Sequence, residues 1–292
     1  MQIESLKVFC DLAESRSFTS AARISGITQS AVSQQISTLE KHFDALLIER
    51  SKKMFRLTKE GQLLYKYSKE MMNSYETLNS RMQSLQNVVS GNIRVSTIYS
   101  IGLHTLPPFL KLFLKEFPTV NVHVEYSHAD KIREDVMGNV VDLGLVAYPG
   151  KDPKLTIIPL VEEPLVLICN PSHPLAGQKS ANLAEIAGEN LVGFHIDIPT
   201  RRGIDRVLRE KKINLNPVME FDNIETVKRA VEIGSGVAIV PEMTVAQEVS
   251  LKSLAKVRFR DVKLSRPVAA VYKKTKVLSP ALEQFLSILA GK

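Results

Sequence analysis

The stretch from Phe18 to Leu57 constrains the fold of this chain more than any other. Two helical patterns flank Gly26 within it. The apolar residues of the second pattern follow spacings of four, three and four, at Val32, Ile36, Leu39 and Phe43. This spacing predicts an amphipathic helix over 29–43, because residues three and four apart share one face of a helix. Thr28 precedes that helix at the position where a hydroxyl caps free N–H groups.

The opposite face of this second helix is polar and almost uncharged. It carries hydroxyls and amides, which bond base edges or phosphates without a charge to desolvate, and the major groove of DNA admits such a helix. The candidate DNA-contacting residues are Thr28, Gln29, Ser30, Ser33 and Gln34. Taken alone, the pattern fits an amphipathic helix of an all-α bundle equally well, since short helix-turn-helix patterns recur by chance.

The flanking segments favour the DNA-binding interpretation. A first helix precedes the pattern, with a predicted buried stripe at Ile3, Leu6, Phe9, Cys10 and Ala13. Two short extended runs, 46–48 and 55–57, follow it and predict a hairpin, the wing of a winged helix-turn-helix. A basic run is usually a solvated loop, but beside a groove-reading helix it predicts phosphate or minor-groove contacts. The candidate wing contacts are Arg50, Lys52, Lys53 and Arg56.

Three motifs in this region carry a resemblance to a known family. They are Phe18-Thr-x-Ala21-Ala22, Gln29-Ser-Ala-Val-Ser33-Gln-Gln-Ile-x-x-Leu39-Glu, and Arg50 with Leu57-Thr58-x-x-Gly61. Together they resemble the N-terminal domain of the LysR-type transcriptional regulators. The resemblance implies a homo-oligomer, expected to be a dimer of dimers, that binds double-stranded DNA. It also implies a C-terminal domain that binds a small effector, and RNA polymerase as a further possible partner.

A long helix is predicted after the wing, over 59–90, with Thr58 as its cap. Its apolar residues recur almost as a heptad seam, which favours a dimerisation helix over a core helix of a monomer. The candidate dimerisation residues are Leu64, Met71, Tyr75, Leu78, Met82 and Leu85. Ser90-Gly91-Asn92 ends the helix and predicts a hinge.

Strand and helix patterns alternate from Ile93 to the C-terminus. This alternation predicts α/β architecture with a largely parallel sheet covered by helices, in which Thr156–Ile158 and Leu165–Cys169 are separate strands. The resemblance implies two Rossmann-like subdomains, as in a periplasmic binding protein. The predicted domains are a DNA-binding domain (1–58), a linker helix (59–90) and an effector domain (91–292), with subdomain I at 92–161 and 267–292 and subdomain II at 162–266.

A ligand is expected at the carboxyl ends of strands, beside helix N-termini. Hydroxyls and arginines at two such places predict an anionic effector, and the resemblance adds Ala147-Tyr148 and Val240-Pro241. The candidate effector residues are Thr97, Tyr99, Ser100, Tyr148, Thr200 and Arg202. Three alternatives stay open: Asn223 as a simple N-cap, ion pairs of Arg201 and Arg202 with Asp197 or Asp205, and an aromatic pocket formed by Tyr99, Tyr148 and Phe194.

Composition narrows the class of protein. A net charge of +7 over 292 residues, with 24% charged and 44% hydrophobic residues, argues against disorder. No apolar run is long enough for a transmembrane helix, and the N-terminus has no signal-peptide pattern, so we expect a cytoplasmic protein without membrane contact. Cys10 and Cys169 are isolated and are expected to be buried and reduced.

Motifs of catalysis are absent from the sequence. Gly234-Ser-Gly236 follows a helix and predicts a tight turn rather than a dinucleotide loop. The six histidines are scattered, so neither a metal site, a catalytic residue nor a cofactor is predicted. The sequence predicts an effector-controlled DNA-binding regulator. The alternatives are a DNA-binding protein without an effector and a solute-binding α/β protein.

Overall fold

The computed structural model describes residues 2–49, 55–85 and 89–291. The chain divides into two compact units, one up to Gly91 and one from Asn92 onward, with the short segments Gly138–Val140 and Val277–Pro280 grouped with the first. The predicted boundary at 58/59 and the subdomain limits are finer than this division and stay predictions.

The first unit is helical. Its helices are α1 (Ile3–Ser15), α2 (Phe18–Ser25), α3 (Gln29–Phe43) and α4 (Lys59–Ser84). Gly26 ends α2 in the left-handed region, at a φ of 67°. The Thr28 hydroxyl accepts a hydrogen bond from Ala31 N at 3.2 Å, as its predicted capping role requires.

The residues buried in the core of this unit differ in part from the predicted apolar stripes of α3 and α1. Val32, Ile36 and Leu39 are buried, but Phe43 is 43% exposed. In α1 the buried residues are Leu6, Val8, Phe9, Cys10 and Leu12, whereas Ile3 and Ala13 of the predicted stripe are only partly buried. A single stripe at helical spacing misses Val8 and Leu12 because α1 packs against α2, α3 and α4 at once.

The base of the predicted wing is present. Ile48 pairs with Leu57 in an antiparallel bridge, and Glu49 N donates to Arg56 O at 2.9 Å. The tip, residues 50–54, lies outside the described residues, and with it the predicted contacts Arg50, Lys52 and Lys53.

The start of α4 explains the Thr58-x-x-Gly61 motif physically. The Thr58 hydroxyl accepts from Gly61 N at 2.9 Å and caps the helix. A Cβ at position 61 would lie 2.1 Å from the carbonyl oxygen of Leu47, so only glycine allows this approach. Helix α4 is described to Ser84, and residues 86–88 of the predicted linker lie outside the described ranges.

The second unit is α/β. Its strands are β1 (Gly91–Thr97), β2 (Val120–Tyr126), β3 (Leu143–Ala147), β4 (Leu155–Cys169), β5 (Ser180–Ala181), β6 (Asn190–Phe194), β7 (Asn216–Phe221), β8 (Ala238–Pro241), β9 (Ala255–Phe259) and β10 (Ser265–Lys273). Its α-helices are α5 (Pro107–Glu116), α6 (Ala129–Met137), α7 (Pro199–Glu210), α8 (Ile224–Glu232), α9 (Ala246–Ser250) and α10 (Pro280–Leu289). One π-helical turn, Ile101–Thr105, and two 3₁₀ turns, Leu183–Ile186 and Glu242–Val245, complete it.

The sheets are mixed rather than largely parallel, which corrects the sequence expectation. Strand β1 is parallel to β3, and β6 is parallel to β7. Strand β10 is antiparallel to β3 and β4, and β4 is antiparallel to β8 and β9. The main sheet has eight strands in the order β2-β1-β3-β10-β4-β9-β5, with β8 also on β4.

Strand β4 corrects a second expectation. The two short strands predicted at Thr156–Ile158 and Leu165–Cys169 are parts of one strand of 15 residues. Its first part pairs with β10 and its last part pairs with β8 and β9, so β4 passes from one Rossmann-like half of the unit to the other. Separate apolar cores fill the two halves. Among the described helices, none has the length and apolarity that crossing a membrane requires.

Candidate functional site

Helix α3 presents a polar face to solvent. Gln29, Ser30, Ser33 and Gln34 are exposed, opposite the buried apolar stripe. The Ser30 hydroxyl lies 2.9 Å from that of Thr28 and is engaged at the cap. Within the described ranges, no hydrogen bond involves the side chains of Gln29, Ser33 or Gln34. These three side chains are therefore free to bond another molecule.

Arg56 is the one predicted wing contact that falls inside the described residues. Its side chain is exposed, while its backbone holds the base of the wing through Glu49. Long, exposed cationic side chains of this kind suit the phosphate backbone of a nucleic acid.

Helix α4 carries an exposed apolar stripe. Its members, with exposed fractions between 41% and 79%, are Tyr67, Met71, Tyr75, Leu78, Met82 and Leu85. Leu64 is a correction to the predicted seam: it is partly buried and packs against the core of the helix-turn-helix. The exposed stripe begins at Tyr67, about one turn after Leu64, because Leu64 and Tyr65 pack in the core of their own unit.

A small cavity of about 60 Å³ lies between the two halves of the second unit and is called the cleft pocket below. Its lining residues are Ile98, Tyr99, Ser100, Ser127, His128, Ala129, Ala147, Phe194, Ile198, Pro199, Thr200, Asp222, Asn223, Ile224 and Arg266. Two of the predicted hydroxyl-bearing residues, Ser100 and Thr200, come from different halves, and both line this pocket.

Three polar side chains define the inner wall of the cleft pocket. Arg266 Nη1 lies 3.4 Å from the Thr200 hydroxyl. Ser100 is 6% exposed, and within the described residues its hydroxyl has no hydrogen-bond partner. The N-terminus of α7 also faces the pocket and favours negative charge. Asp222, an acid on the rim, is exposed to solvent, so its repulsion is screened.

Arg266 is held by an enclosed polar network. Its Nε donates to Glu163 Oε2 at 2.7 Å, and Glu163 Oε1 accepts from the Thr105 hydroxyl. Burial lowers the pKa of the Arg266 guanidinium from its ordinary value, against the opposing effect of Glu163. Arg266 and Glu163 are absent from the predicted site, although both lie beside the subdomain limits that the resemblance implies, at 161/162 and 266/267.

Thr97, Tyr99 and Asn223 differ in how they relate to the cleft pocket. Thr97 is fully buried, its hydroxyl donates to Ile98 O at 3.2 Å, and it is not part of the pocket lining. Tyr99 lines the cleft pocket and stacks on Tyr126, with ring centroids 5.1 Å apart. Asn223 caps α8 by accepting from Thr226 N at 3.0 Å, as its alternative role predicts.

Tyr148 and Arg202 line a second, larger cavity of about 420 Å³. This basic chamber, as it is called below, is lined by Ala129, Asp130, Arg133, Val146, Ala147, Tyr148, Pro149, Gly150, Lys151, Asp152, Leu155, Pro199, Arg202, Gly203, Arg206 and Val271. Ala129, Ala147 and Pro199 are walls of both cavities. The predicted effector residues are therefore divided between two neighbouring cavities.

The neighbouring arginine, Arg201, has a structural role. Its Nε donates to Asp205 at 2.8 Å, and its Nη1 donates to Glu220 and to Phe194 O, both at 2.8 Å. The ion pair with Asp205 was one of the open alternatives; in it the arginine is buried and Asp205 is partly buried.

Both cysteines are buried thiols, as expected from the sequence. Burial raises the pKa of the Cys169 thiol to about 11, so it stays protonated and unreactive at neutral pH. Within the described ranges, no three His, Cys, Asp or Glu residues are grouped so that they could hold a metal ion.

Two family models cover this architecture. "Bacterial regulatory helix-turn-helix protein, lysR family" matches residues 3–62, and "LysR substrate binding domain" matches residues 86–292. The chain belongs to the LysR family: it is a DNA-binding transcriptional regulator with a domain for a small-molecule effector. This assignment sets aside the solute-binding alternative.

Proteins similar in sequence and in structure match this chain over most of its length. The HTH-type transcriptional activator CmpR of Synechocystis sp. is 29% identical over 287 residues, which is 98% of this chain and 94% of CmpR. Full-length CbnR complexed with its target DNA has a TM-score of 0.72 at 18% identity, covering 99% of each chain. The regulatory domain of Synechocystis CcmR in complex with 2-PG has a TM-score of 0.63 at 22% identity, covering 69% of this chain and 97% of that one.

Proposed function

We propose that the exposed face of α3 reads base edges in the major groove, while the wing holds the adjacent backbone or minor groove. The free side chains of Gln29, Ser33 and Gln34 support this role, since amides and hydroxyls bond base edges there. Arg56 at the base of the wing supplies a phosphate contact, and Arg50, Lys52 and Lys53 are proposed as further contacts from the tip.

The apolar stripe of α4 is proposed as the dimer interface. Its six members, from Tyr67 to Leu85, recur at spacings of four, four, three, four and three, the pattern of a coiled-coil seam. A dimer would place two recognition helices on successive major grooves of an imperfect palindrome. Two such dimers, forming a dimer of dimers, would contact an extended site, and RNA polymerase is a further proposed partner.

The effector is proposed to be a small anion bound in the cleft pocket. One observation carries this proposal: the buried guanidinium of Arg266 and the hydroxyls of Ser100 and Thr200 converge on a pocket that both halves form. Hydrogen bonds from such donors to a charged acceptor are stronger than bonds between neutral groups. CcmR, whose regulatory domain shares this fold, was solved in complex with 2-PG.

The mechanism follows from the position of the pocket. A ligand held by Ser100 of one half and Thr200 of the other stabilises the arrangement in which the halves approach, and it shifts the population toward that arrangement. In a dimer, this shift would change the spacing of the recognition helices and the bend of the bound DNA. We propose that this regulation proceeds without catalysis by the chain itself.

The test begins with a thermal-shift screen of small carboxylic and phosphorylated acids, followed by calorimetry with the best ligand. Ser100→Ala and Thr200→Ala should each raise its dissociation constant about tenfold, since a lost bond to a charged group costs about 1.5–3 kcal/mol. Ser172→Ala, at an exposed loop hydroxyl, serves as the matched control.

Two results would overturn the assignment of the effector. One is unchanged affinity of Ser100→Ala and Thr200→Ala for a verified effector. The other is a preference for a neutral aromatic ligand that loses affinity in Tyr99→Ala or Phe194→Ala. Operator binding without effector should remain intact in all of these variants.

A further inference from the structure

The basic chamber has an excess of positive charge. Its lining includes four cationic residues, Arg133, Lys151, Arg202 and Arg206, and two acidic residues, Asp130 and Asp152. At about 420 Å³ it is roughly the volume of a small-molecule site. It also differs from the cleft pocket in charge, because the lining of the cleft pocket carries one arginine, Arg266, which is paired with Glu163 behind the wall, and one acid, Asp222.

Only one of the four cations is neutralised by the chamber itself. Arg133 Nε donates to Asp152 Oδ2 at 3.0 Å, and Asp152 also accepts from Lys154 N at 2.9 Å. In the described part of the chain, Lys151, Arg202 and Arg206 form neither an ion pair nor a side-chain hydrogen bond. Three cations without an ion-pair partner therefore surround one cavity, against one acid of the lining, Asp130, that the arginine–aspartate pair leaves over.

The three free cations come from both halves of the second unit. Arg202 and Arg206 are four residues apart on α7, so their side chains lie one above the other on the same helix face. Lys151 belongs to the loop between β3 and β4, on the other half. The N-terminus of α7, at Pro199, also lines the chamber and adds its dipole.

The two sides of the chamber approach each other closely at Tyr148 and Gly203. Tyr148 takes a left-handed φ of 51°, and its hydroxyl donates to Ser265 O at 3.1 Å. A Cβ at Gly203 would lie 2.4 Å from that hydroxyl oxygen. The absence of a side chain at 203 therefore lets α7 approach the loop that carries Lys151.

We propose that the basic chamber is a second anion site, separate from the cleft pocket, and that it takes a phosphoryl group. A phosphoryl group carries close to two negative charges and three acceptor oxygens, which two guanidinium forks and an ammonium group match. A monocarboxylate has one charge and two oxygens and would leave cations uncompensated. Because the chamber adjoins the cleft pocket along Ala129, Ala147 and Pro199, the group can be free phosphate or the tail of an effector that fills both cavities.

The first measurement is calorimetric titration of inorganic phosphate into the full-length protein at low, constant ionic strength. Arg202→Gln, Arg206→Gln and Lys151→Gln should each weaken phosphate binding about tenfold or more. Arg209→Gln, an exposed arginine of the same helix outside the chamber, should bind phosphate as the wild type does. Weaker phosphate binding in Ser100→Ala with normal binding in the three chamber variants would place the phosphate in the cleft pocket and overturn the second site, whereas failure of the proposed cleft site to bind an effector would leave the chamber result unchanged.

The second measurement identifies the source of the phosphoryl group, with 3-phosphonopropionate and its dicarboxylate counterpart succinate as probes. If 3-phosphonopropionate binds more tightly than phosphate and succinate, and loses affinity in both Arg206→Gln and Ser100→Ala, one effector spans both cavities. If it binds no more tightly than phosphate and only the chamber variants weaken it, the chamber serves a separate ligand.

Either outcome supports the second site. The proposal is overturned if phosphate shows no saturable binding to the wild type, or if the double variant Arg202→Gln/Arg206→Gln binds phosphate with unchanged affinity. Because Lys151, Arg202 and Arg206 are exposed and have no ion-pair partner among the described residues, the variants should keep the unfolding temperature of the wild type.

Discussion

Arg266 and Glu163 form an ion pair enclosed at the junction of the two halves, with Arg266 Nη2 2.6 Å from Glu163 Oε2 and side chains only 2% and 3% exposed. They stand on β10 and β4, the two long strands through which the chain passes between the halves. The pair therefore fixes the base of the cleft pocket, where Arg266 also meets Thr200.

Breaking this pair should destabilise the protein strongly. Arg266→Ala leaves a buried carboxylate without its partner and Glu163→Ala leaves a buried guanidinium, so each should lower the free energy of unfolding by about 3–5 kcal/mol. Urea denaturation measures the change. Arg258→Ala, which removes an exposed partner of Glu242, should have little effect. A double variant less destabilised than the sum of the two single variants would show the coupling directly, and equal losses at Arg258 and Arg266 would contradict it.

Gly203→Ala should separate the walls of the basic chamber. The new methyl group would lie 2.4 Å from the Tyr148 hydroxyl oxygen, and overpacking of this kind typically costs about 1–3 kcal/mol. Thermal unfolding measures the loss. Gly177→Ala is the control, because a Cβ there has no atom within 4 Å. Tyr148→Ala in the Gly203→Ala background should recover part of the loss, and an unchanged melting temperature in Gly203→Ala would refute the close contact.

The N-terminal part of the fold was predictable because local signals agree there. Thr28 and Thr58 are caps in the structure as their positions predict. The apolar spacing of α3 identifies its buried face, with the exception of Phe43 at the helix end. Gly61 was part of the motif, but only the structure gives the reason, which is the approach of the Leu47 carbonyl.

The candidate site was predictable only in part, because cavities depend on contacts between distant residues. Ser100 and Thr200 were found from helix starts, a local signal. Tyr148 and Arg202 line the basic chamber instead, because α7 packs against the loop after β3. The periodicity of the sequence does not show this packing. The burial of Thr97, like the continuity of β4 across both halves, follows from sheet topology rather than from local pattern.

The proposed role of the exposed polar face of α3 can be tested by comparing how its variants bind the specific operator and random DNA. Gln29→Ala and Ser33→Ala should cost about 1–3 kcal/mol at the specific operator if base bonds are lost, with little change on random DNA. Arg56→Ala should weaken binding to every sequence and reduce the dependence of affinity on salt. Fluorescence anisotropy at several salt concentrations separates the two effects. Operator affinity of wild-type strength in Gln29→Ala and Ser33→Ala would remove α3 from the groove.

The proposed dimerisation role of α4 can be tested by placing a charge in its exposed apolar stripe. Leu78→Glu would bury an ion in a packed seam, which is costly without a partner, so the dimer should dissociate and operator affinity should fall sharply. Light scattering gives the mass, and circular dichroism shows whether the monomer remains folded. Glu76→Gln, at an exposed position outside the stripe, should stay dimeric. A folded, fully dimeric Leu78→Glu protein would exclude the stripe as the interface.

The environment of Asp142 lowers its pKa, which predicts that the protein loses stability in acid. Burial acts to raise the pKa of this carboxyl, but Lys276 and Arg94 outweigh it and lower the pKa below its ordinary value of 3.8. Lys276 Nζ lies 2.9 Å from Asp142 Oδ1, and Arg94 N donates to Oδ2 at 2.7 Å. Because the pKa is lower in the folded state, the stabilisation is complete above about pH 4 and is lost as pH falls through the folded value.

The stability difference between wild type and Asp142→Asn should accordingly be large and constant from pH 7 to pH 5. It should shrink as the pH falls below the ordinary aspartate pKa, because the wild-type carboxyl then becomes neutral as well. Urea midpoints measured along this series test the claim. Lys276→Gln removes a main cause of the lowered pKa, so the pH at which its stability declines should move upward. A pH-independent difference between wild type and Asp142→Asn would show that Asp142 contributes through packing rather than through its charge.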